Sequence, residues 1–201
     1  MSRKSNSAQR RSEIVAGMLA AMAEQGYEKA TVQLIAQHAG LAPGLLHYHF
    51  KSKAEILLAL MDALAAQGKQ RFEQMSANAV DARARLHAYV DARLGLGEGA
   101  DAKAAAAWVM IGAEAVRQGE VRELYQRAVA GEMALVEGLL ADCPGAQDQP
   151  AEDVRAVAAG LLALVEGAFQ LASAAPQAMP TGYAAKAARQ MLADYFRSAV
   201  S

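Results

Sequence analysis

Cysteine is almost absent from this 201-residue chain, in which Cys143 is the only one. A single cysteine excludes an internal disulfide and suits a reducing compartment, so we expect a cytoplasmic protein. Prolines number only five, and runs of β-branched residues are scarce, which argues against a sheet-based fold. No uncharged apolar run reaches about 18 residues, and the polar, basic first dozen residues lack the apolar core of a signal peptide. We therefore expect no membrane span.

Motifs for catalysis and metal binding are also missing. The four histidines are His38, His47, His49 and His87. His47 and His49 are two residues apart on a predicted helix and point in different directions. The sequence contains no HExxH, paired-cysteine motif, phosphate-binding glycine loop or nucleophile elbow, and Cys143 has no base nearby in sequence. We predict no catalytic residue, metal site or cofactor.

The residues that are present favour a folded helical protein. Hydrophobic residues make up 54% of the chain and charged residues 20%, enough for a buried core and too apolar for disorder. The net charge of −1 hides an asymmetry, because residues 1–53 carry seven Lys/Arg against three acids, whereas the remainder carries 13 against 18. A basic end is typical of a protein that meets a polyanion, although chance clustering explains the charge equally well.

Helix start and stop signals divide the chain into about nine helices. The first has apolar residues at helical spacing from Ile14 to Met22 and ends at Gly26, which can adopt a positive φ. Thr31 is a candidate N-cap for a short second helix that ends at Gly40. A third helix over residues 43–50 starts with a proline at its first position. The fourth, over residues 52–74, starts at a Ser52-Lys53-Ala54-Glu55 capping box.

Five further helices are predicted in the rest of the chain, at residues 81–96, 102–118, 121–140, 151–174 and 182–200. Glycines and prolines separate them, and residues 145–150 and 174–181 are predicted loops. No repeat of about 20–50 residues is present, which disfavours a solenoid. The predicted fold is all-α, with a helix-turn-helix domain of three helices over residues 1–53 and a helical domain over residues 54–201.

The second and third helices have the spacing of a helix-turn-helix. If Leu46 and Phe50 face the core, Gly44 and Tyr48 face outward, with Leu45 and His47 on the flanks. That outward strip is the surface that a recognition helix offers to a major groove. An ordinary helical hairpin with a solvated face has the same pattern.

Three segments resemble the signature of the TetR family of transcriptional regulators: TVQLIA at residues 31–36, AGL at 39–41 and LHYHFKSK at 46–53. The resemblance covers about residues 10–60. It implies that Thr31 and Gln33 contact the DNA backbone and that Tyr48, His49 and Lys53 reach phosphates. It also implies base or phosphate contacts for residues at the start of the third helix: Pro43, Gly44, Leu45 and His47. A lysine at a helix N-terminus also attracts anions for electrostatic reasons.

Three positions depart from the family pattern. Ala42 replaces a capping serine, Leu45 replaces a threonine, and His47 replaces a tyrosine, so the operator sequence is not predictable. Leu45 lacks a donor but is suited to a thymine methyl group. Four basic residues near the start form a second candidate DNA contact, either along phosphates or in a minor groove, or else a solvated tail; they are Arg3, Lys4, Arg10 and Arg11.

The C-terminal two-thirds resembles the betaine-regulator branch of that family through AWV at residues 107–109 and LLALVEG at 161–167. The resemblance implies a homodimer and a pocket for a small-molecule effector. We predict dimer contacts from the apolar residues of the last two helices, namely Leu161, Val165, Met191, Leu192, Tyr195 and Phe196. Two recognition helices about 34 Å apart would then read a palindromic operator on double-stranded DNA.

Candidate pocket residues combine aromatic and polar side chains between these helices. Glu166 interrupts an apolar stripe, where a carboxylate beside aromatic rings can receive a cation such as a quaternary amine. An ion pair with an arginine, or exposure at a rim, is the alternative explanation of Glu166. The predicted lining is His87, Trp108, Met110, Tyr125, Glu166, Phe169 and Gln170.

The sequence thus favours a TetR-like repressor that an effector releases from DNA by shifting the population of its conformations. A second hypothesis is a helix-turn-helix protein without a small-molecule effector, regulated by a protein partner or by abundance. A helical enzyme is a remote third.

Overall fold

The computed structural model describes residues 3–95, 101–145 and 149–198, and every regular element in those ranges is an α-helix. The predicted all-α fold and the nine helices are confirmed over these ranges. The predicted helix ends at residues 96 and 200, and the glycines at 97 and 99, lie outside the described residues. The helices are α1 (Arg3–Lys29), α2 (Val32–Ala39), α3 (Pro43–His49), α4 (Lys53–Ser76), α5 (Ala82–Leu94), α6 (Ala102–Arg117), α7 (Gly119–Ala141), α8 (Ala151–Ala174) and α9 (Tyr183–Ser198).

The chain forms two compact units. Unit 1 comprises residues 1–65 and 110–126, and unit 2 comprises residues 66–109 and 127–201. Helices α4, α6 and α7 therefore each begin in one unit and end in the other. The sequence predicts a single boundary between residues 53 and 54. The compact unit that contains the N-terminal helices instead continues to residue 65 and also includes residues 110–126.

In unit 1 the predicted helix ends are formed by local hydrogen bonds. The Thr31 hydroxyl accepts a hydrogen bond from the Leu34 N–H at 3.1 Å, which caps α2. Gly40 ends α2 with φ 66°, and its N–H donates to the carbonyls of Ala36 and Gln37. Ala42 provides no side-chain cap for α3, as the sequence predicts.

The fourth helix starts at the predicted capping box, with one difference. The Glu55 N–H donates to the Ser52 hydroxyl at 3.1 Å. The Glu55 carboxylate accepts from the N–H of Lys51 at 2.7 Å, one residue earlier than in the usual reciprocal pair. Both bonds satisfy donors at the helix start.

Helix α1 does not simply end at Gly26. Gly26 has φ 76° and ψ 167°, a conformation that residues with a Cβ rarely adopt, and one more helical turn follows to Lys29. The helix therefore changes direction at Gly26, and Tyr27 follows this kink. The sequence predicts that the helix ends at Gly26. It instead continues after this one non-helical residue, so Gly26 is a kink within α1.

Unit 2 is built around a core to which α5, α7, α8 and α9 contribute. Four of the six residues predicted for a dimer interface are buried in this core: Leu161 and Leu192 are fully buried, and Val165 and Phe196 nearly so. The prediction was wrong for these four, because the apolar stripes of α8 and α9 pack on each other and on α5. Met191 and Tyr195 are only partly buried.

Helix α8 is the one helix in the described ranges that is long and apolar enough to cross a membrane by composition alone, and 28% of its most apolar stretch is buried. Core helices of soluble proteins have the same composition. The sequence criterion of an uncharged run missed α8 because Glu166 interrupts it. Most residues in this apolar stretch of α8 are therefore at least partly exposed in the single chain.

Candidate nucleic-acid interface

The outward face of α3 consists of the residues predicted to meet DNA. Leu46 and Phe50 are buried, with 1% and 3% of their surfaces exposed, and they anchor the helix on unit 1. The remaining predicted residues of the helix, Pro43, Gly44, Leu45, His47 and Tyr48, are all exposed. Tyr48 is 82% exposed and Leu45 38%, high values for large apolar side chains. This exposed surface carries no Lys, Arg, Asp or Glu, and its Leu45 and Tyr48 side chains suit close approach to base edges.

The supporting helix α2 places its two predicted residues at its start. Thr31 and Gln33 are both exposed. The Thr31 hydroxyl oxygen already accepts the capping hydrogen bond, but its hydrogen can still be donated to a phosphate oxygen. The N–H groups of the first turn of α2 lie beside it and favour an anion.

The end of α3 is attached to α1 through an arginine. The Arg11 guanidinium donates to the backbone carbonyl of His49 and lies 4.0 Å from the centre of the Phe50 ring. His49 is half-buried, and its ring makes an edge contact with Tyr48 at 5.1 Å between centroids. Arg11 was predicted as part of a basic arm, and in the structure it fixes α3.

The other residues of the basic segment differ in what the structure describes. Arg10 pairs with Glu13 at 2.7 Å, one helical turn along α1. The side chains of Arg3 and Lys4 lie outside the described residues. The backbone of this segment is helical from Arg3, so the segment extends α1.

Lys53 makes contacts that its predicted role did not include. Its ammonium donates to the backbone carbonyls of Tyr27 at 2.8 Å and Glu28 at 3.1 Å, and lies 4.3 Å from the centre of the Tyr27 ring. Burial lowers the pKa of Lys53, although nearby Glu120 and Glu28 oppose that effect. The ammonium therefore caps the last turn of α1, and a phosphate contact from Lys53 stays a prediction.

Tyr27 contacts three other elements of unit 1. Its N–H donates to a carboxylate oxygen of Glu114 on α6 at 3.3 Å, and its hydroxyl donates to Glu120 on α7 at 3.0 Å. Burial and the hydrogen bond to Glu120 raise the pKa of Tyr27. With Lys53 on its carbonyl, Tyr27 is bound to α4, α6 and α7 together.

Glu114 was not among the predicted site residues, although it is the one charged side chain among the described residues that is buried. Glu114 follows the buried Ala107 and Ile111 on one face of α6. A carboxylate on an apolar stripe is the signal that singled out Glu166, and it would have identified Glu114 as well.

In unit 2 the structure brings together two of the predicted effector residues. The Trp108 indole N–H on α6 donates to a carboxylate oxygen of Glu166 on α8 at 2.6 Å. Both side chains are half-buried. An aromatic ring in contact with a carboxylate is a chemical combination that binds organic cations.

The structure distributes the other five predicted effector residues differently. Phe169 is partly buried against the unit 2 core, while His87 and Gln170 are exposed. Met110 and Tyr125 belong to unit 1, and Tyr125 packs near Gly112. The grouping of these five residues into one pocket stays a prediction.

A partly buried polar network in unit 2 was also not predicted from the sequence. Tyr89 donates to Glu132 at 2.6 Å, and Arg93 donates to the same carboxylate oxygen at 2.8 Å. Burial and the Glu132 charge raise the pKa of Tyr89. Burial alone would lower the pKa of Arg93, but Glu132 raises it. No sequence pattern links Glu132 on α7 to α5, so only the fold identifies this network.

Two family descriptions match the sequence. "Bacterial regulatory proteins, tetR family" matches residues 14–60, and "BetI-type transcriptional repressor, C-terminal" matches residues 82–198. The chain is 32% identical to the HTH-type transcriptional regulator BetI of Rhizobium meliloti over 165 residues, which cover 80% of this chain and 76% of that protein.

Solved structures share the fold. A putative transcriptional regulator from Pseudomonas aeruginosa PAO1 has a TM-score of 0.80 at 21% identity, covering 96% of this chain and 92% of that one. A Saccharomonospora viridis regulator in complex with choline has a TM-score of 0.72 at 20% identity, covering 92% and 96%. FadR of Bacillus subtilis in complex with stearoyl-CoA has a TM-score of 0.69 at 22% identity, covering 90% and 96%.

The exposed α3 face coincides with the matched N-terminal family region, and the C-terminal match covers α5 to α9. These proteins are regulators and not enzymes, and in the described ranges no group of three or more His, Cys, Asp or Glu is placed to hold a metal. The chain is therefore a DNA-binding transcriptional regulator that belongs to the TetR family and carries the C-terminal domain of its BetI-type repressors.

Proposed function

We propose that this regulator is a homodimeric repressor that binds a palindromic operator through α3 and is released by a small organic cation. The observation that supports operator binding is the exposed face of α3, with Leu45 and Tyr48 directed outward from the anchors Leu46 and Phe50. Apolar and aromatic groups at this position suit contact with thymine methyl groups and sugar–phosphate edges. Thr31, Gln33 and His49 would add backbone contacts.

Selection from random duplex DNA followed by mobility shift tests operator binding without knowledge of the target genes. The purified chain should enrich a sequence with two inverted half-sites, about 10–10.5 base pairs or a multiple apart from centre to centre. Tyr48→Ala should weaken binding, whereas Met75→Ala, at another exposed residue on α4, should not. Failure to enrich any inverted repeat at low salt would refute the proposal.

Dimerisation is supported by the uncovered face of α8. Small residues on this face, together with Leu171, are exposed in the single chain: Ala156, Ala159, Ala163 and Gly167. A helix this apolar is stabilised when a second copy covers it, since small residues let two helices approach closely. The symmetric contact also explains why two recognition helices would act together. The predicted contacts from Met191 and Tyr195 remain part of this proposal.

Sedimentation equilibrium distinguishes a dimer from a monomer. Ala163→Glu places a charge on the α8 face and should shift the protein toward monomer. Ala134→Glu makes the same change at an exposed position of α7 and should leave the dimer intact. A wild-type particle that stays monomeric at micromolar concentration would contradict the proposal.

The effector proposal is supported by the contact between Trp108 and Glu166. The indole face attracts a cation, and the carboxylate adds charge complementarity in a partly buried position. A structure that shares the fold contains choline, a quaternary ammonium compound. Another contains stearoyl-CoA, so an acyl-CoA is the competing ligand class. We favour the cation because the Trp108–Glu166 pair offers a matching charge.

Thermal shift with choline and with stearoyl-CoA separates these two classes, because a ligand that binds the native state raises the melting temperature. Choline should raise it and also release the selected operator. Glu166→Gln keeps an acceptor for Trp108 but removes the charge, and should weaken choline binding about tenfold or more. Glu137→Gln, which removes a carboxylate that faces Arg155 at 3.6 Å, is the matched control. A rise in melting temperature with stearoyl-CoA but not with choline would refute the proposal that the effector is an organic cation.

A repressor that acts on bacterial operators works where the chromosome is. The buried, reduced Cys143 is compatible with the cytoplasm. We therefore propose a cytoplasmic location. Fractionation should recover the protein with the soluble fraction, and recovery with membranes would contradict this.

A further inference from the structure

One cluster in unit 1 connects the DNA-binding helices to the ends of α6 and α7. We call it the Tyr27 clasp, defined as Gly26, Tyr27, Lys53, Glu114 and Glu120. The Tyr27 N–H binds Glu114 at 3.3 Å, its hydroxyl binds Glu120 at 3.0 Å, and its carbonyl accepts from Lys53 at 2.8 Å. One residue of α1 is thus joined to the start of α4, the end of α6 and the start of α7.

Stability does not explain Glu114, the buried carboxylate of the clasp. Glu114 is 6% exposed, and one of its two carboxylate oxygens has no hydrogen-bond partner. Its ionic partner Arg117, at 2.8 Å, is 67% exposed, so solvent screens the attraction. A buried carboxylate that is half satisfied destabilises a fold relative to an apolar residue of similar size. Such a group indicates a role in geometry.

Gly26 fits this role in two ways. Its φ of 76° strains any residue that has a Cβ. A Cβ would also lie 3.0 Å from the Glu114 carboxylate oxygen that Tyr27 contacts. The kink in α1 therefore brings the Tyr27 N–H to Glu114 and leaves room for the carboxylate.

Two connections lead from the clasp to α3. Along α1, Arg11 donates to the His49 carbonyl at the end of α3. Along the chain, Lys53 begins α4 three residues after the buried Phe50, which ends α3. The position of α3 in unit 1 therefore depends on the same residues that bind α6 and α7.

We propose that the Tyr27 clasp holds the helix-turn-helix in a fixed orientation on the ends of α6 and α7, so that Tyr27 and Glu114 are positioning residues for operator binding. This inference rests on the proposed function, because an orientation matters only if two helix-turn-helix units must match two half-sites. A fixed orientation makes the dimer sensitive to the distance between half-sites. A loosened clasp tolerates other distances.

The test uses the selected operator and two derivatives, with one base pair added or removed between the half-sites. For each protein, mobility shift gives the ratio of affinities for the original and altered spacings. Tyr27→Phe removes only the hydrogen bond to Glu120, and Glu114→Gln keeps an acceptor while removing the charge. In both variants we expect this ratio to fall about tenfold, within the range usual for coupling between sites. Tyr89→Phe is the matched control, because it removes a tyrosine–glutamate hydrogen bond of 2.6 Å in unit 2.

The outcomes separate the inference from the proposed function. If the wild type enriches an inverted repeat and the folded variants keep its spacing ratio, the clasp has no positioning role. An equal fall in Tyr89→Phe would also overturn the role, since general destabilisation would then explain the effect. If the wild type enriches no inverted repeat, the proposed function fails and the positioning role fails with it. Circular dichroism confirms folding, and Tyr27→Phe is the variant least expected to unfold.

Discussion

Helix α1 packs closely against α2 at Gly17. A Cβ built at this position would lie 2.5 Å from the Ile35 carbonyl oxygen and 3.0 Å from the Ala39 Cβ, both on α2. Real Cβ atoms do not approach so closely, and a backbone carbonyl cannot rotate away as a long side chain can. Gly17→Ala must therefore move α2 away from α1. Since α2 supports α3, the substitution tests whether this packing positions the DNA-binding helices.

Two opposing effects decide the size of the change. Alanine in a helix interior is favoured over glycine by about 1 kcal/mol. Overpacking of a close contact destabilises by about 1–3 kcal/mol, and the rigid backbone neighbour puts Gly17 at the upper end. We expect a net loss of about 1–2 kcal/mol, which corresponds to a melting temperature lower by about 2–8 °C for a chain of this size.

Gly138→Ala is the matched control for Gly17→Ala. Gly138 lies within α7, is exposed, and a Cβ there would have no neighbour within 4 Å. Only the helix preference then remains, so this variant should be more stable by up to about 1 kcal/mol. Both variants are measured by thermal melting followed by circular dichroism at 222 nm, with operator affinity measured below the transition. If Gly17→Ala is as stable as the wild type, the close packing of α1 on α2 is wrong.

Three further predictions concern single side chains. Lys53→Ala should lower the melting temperature because it uncaps the end of α1. If Lys53 also contacts a phosphate, the substitution should reduce the salt slope of operator binding by about 1. An unchanged slope would assign Lys53 to the clasp alone. Asp101 accepts hydrogen bonds from the N–H groups of Lys103 and Ala104, so Asp101→Ala should destabilise by about 0.5–2 kcal/mol at pH 7. Hydrogen bonds from Gln67 and Ala104 lower the Asp101 pKa below its usual 3.8. The ionic part of the stability difference between wild type and Asp101→Ala is therefore present above pH 3.8 and should disappear as the pH falls further. A stability difference that grows on acidification would contradict the assignment. Burial raises the pKa of Cys143, so iodoacetamide at pH 8 should label it slowly in the native protein and rapidly in denaturant, and equal rates would show that the thiol is accessible.

Features of the fold that depend on neighbouring residues were predictable from the sequence. Thr31, Gly40 and Ser52 form their caps with residues at most four positions away, so residue type and spacing were sufficient. The outward and inward faces of α3 follow from helical periodicity once Leu46 is an anchor. The predicted buried and exposed faces of α3 therefore agree with the burial of its side chains.

Contacts between residues distant in sequence were not predictable in this way. Tyr27 and Glu114 are 87 residues apart, and no local pattern pairs them. Periodicity identified the apolar stripes of α8 and α9 but not what would cover them, so Leu161 and Leu192 were assigned to a partner although they build the core of unit 2. Lys53 was predicted from charge at a helix start, and only the structure shows that carbonyls of α1 already accept its hydrogen bonds.

The central claim is that paired α3 helices enter successive major grooves, and DNA cleavage from a chelate tests it most directly. Ala42→Cys places a thiol at the exposed N-terminus of α3, and the native Cys143 is buried and does not compete for labelling. An iron chelate attached at residue 42 should cut the selected operator at two symmetric positions, about 10–10.5 base pairs or a multiple apart, and should cut unrelated DNA without a pattern. Cleavage at one position only, or none above that of unrelated DNA, would contradict the account.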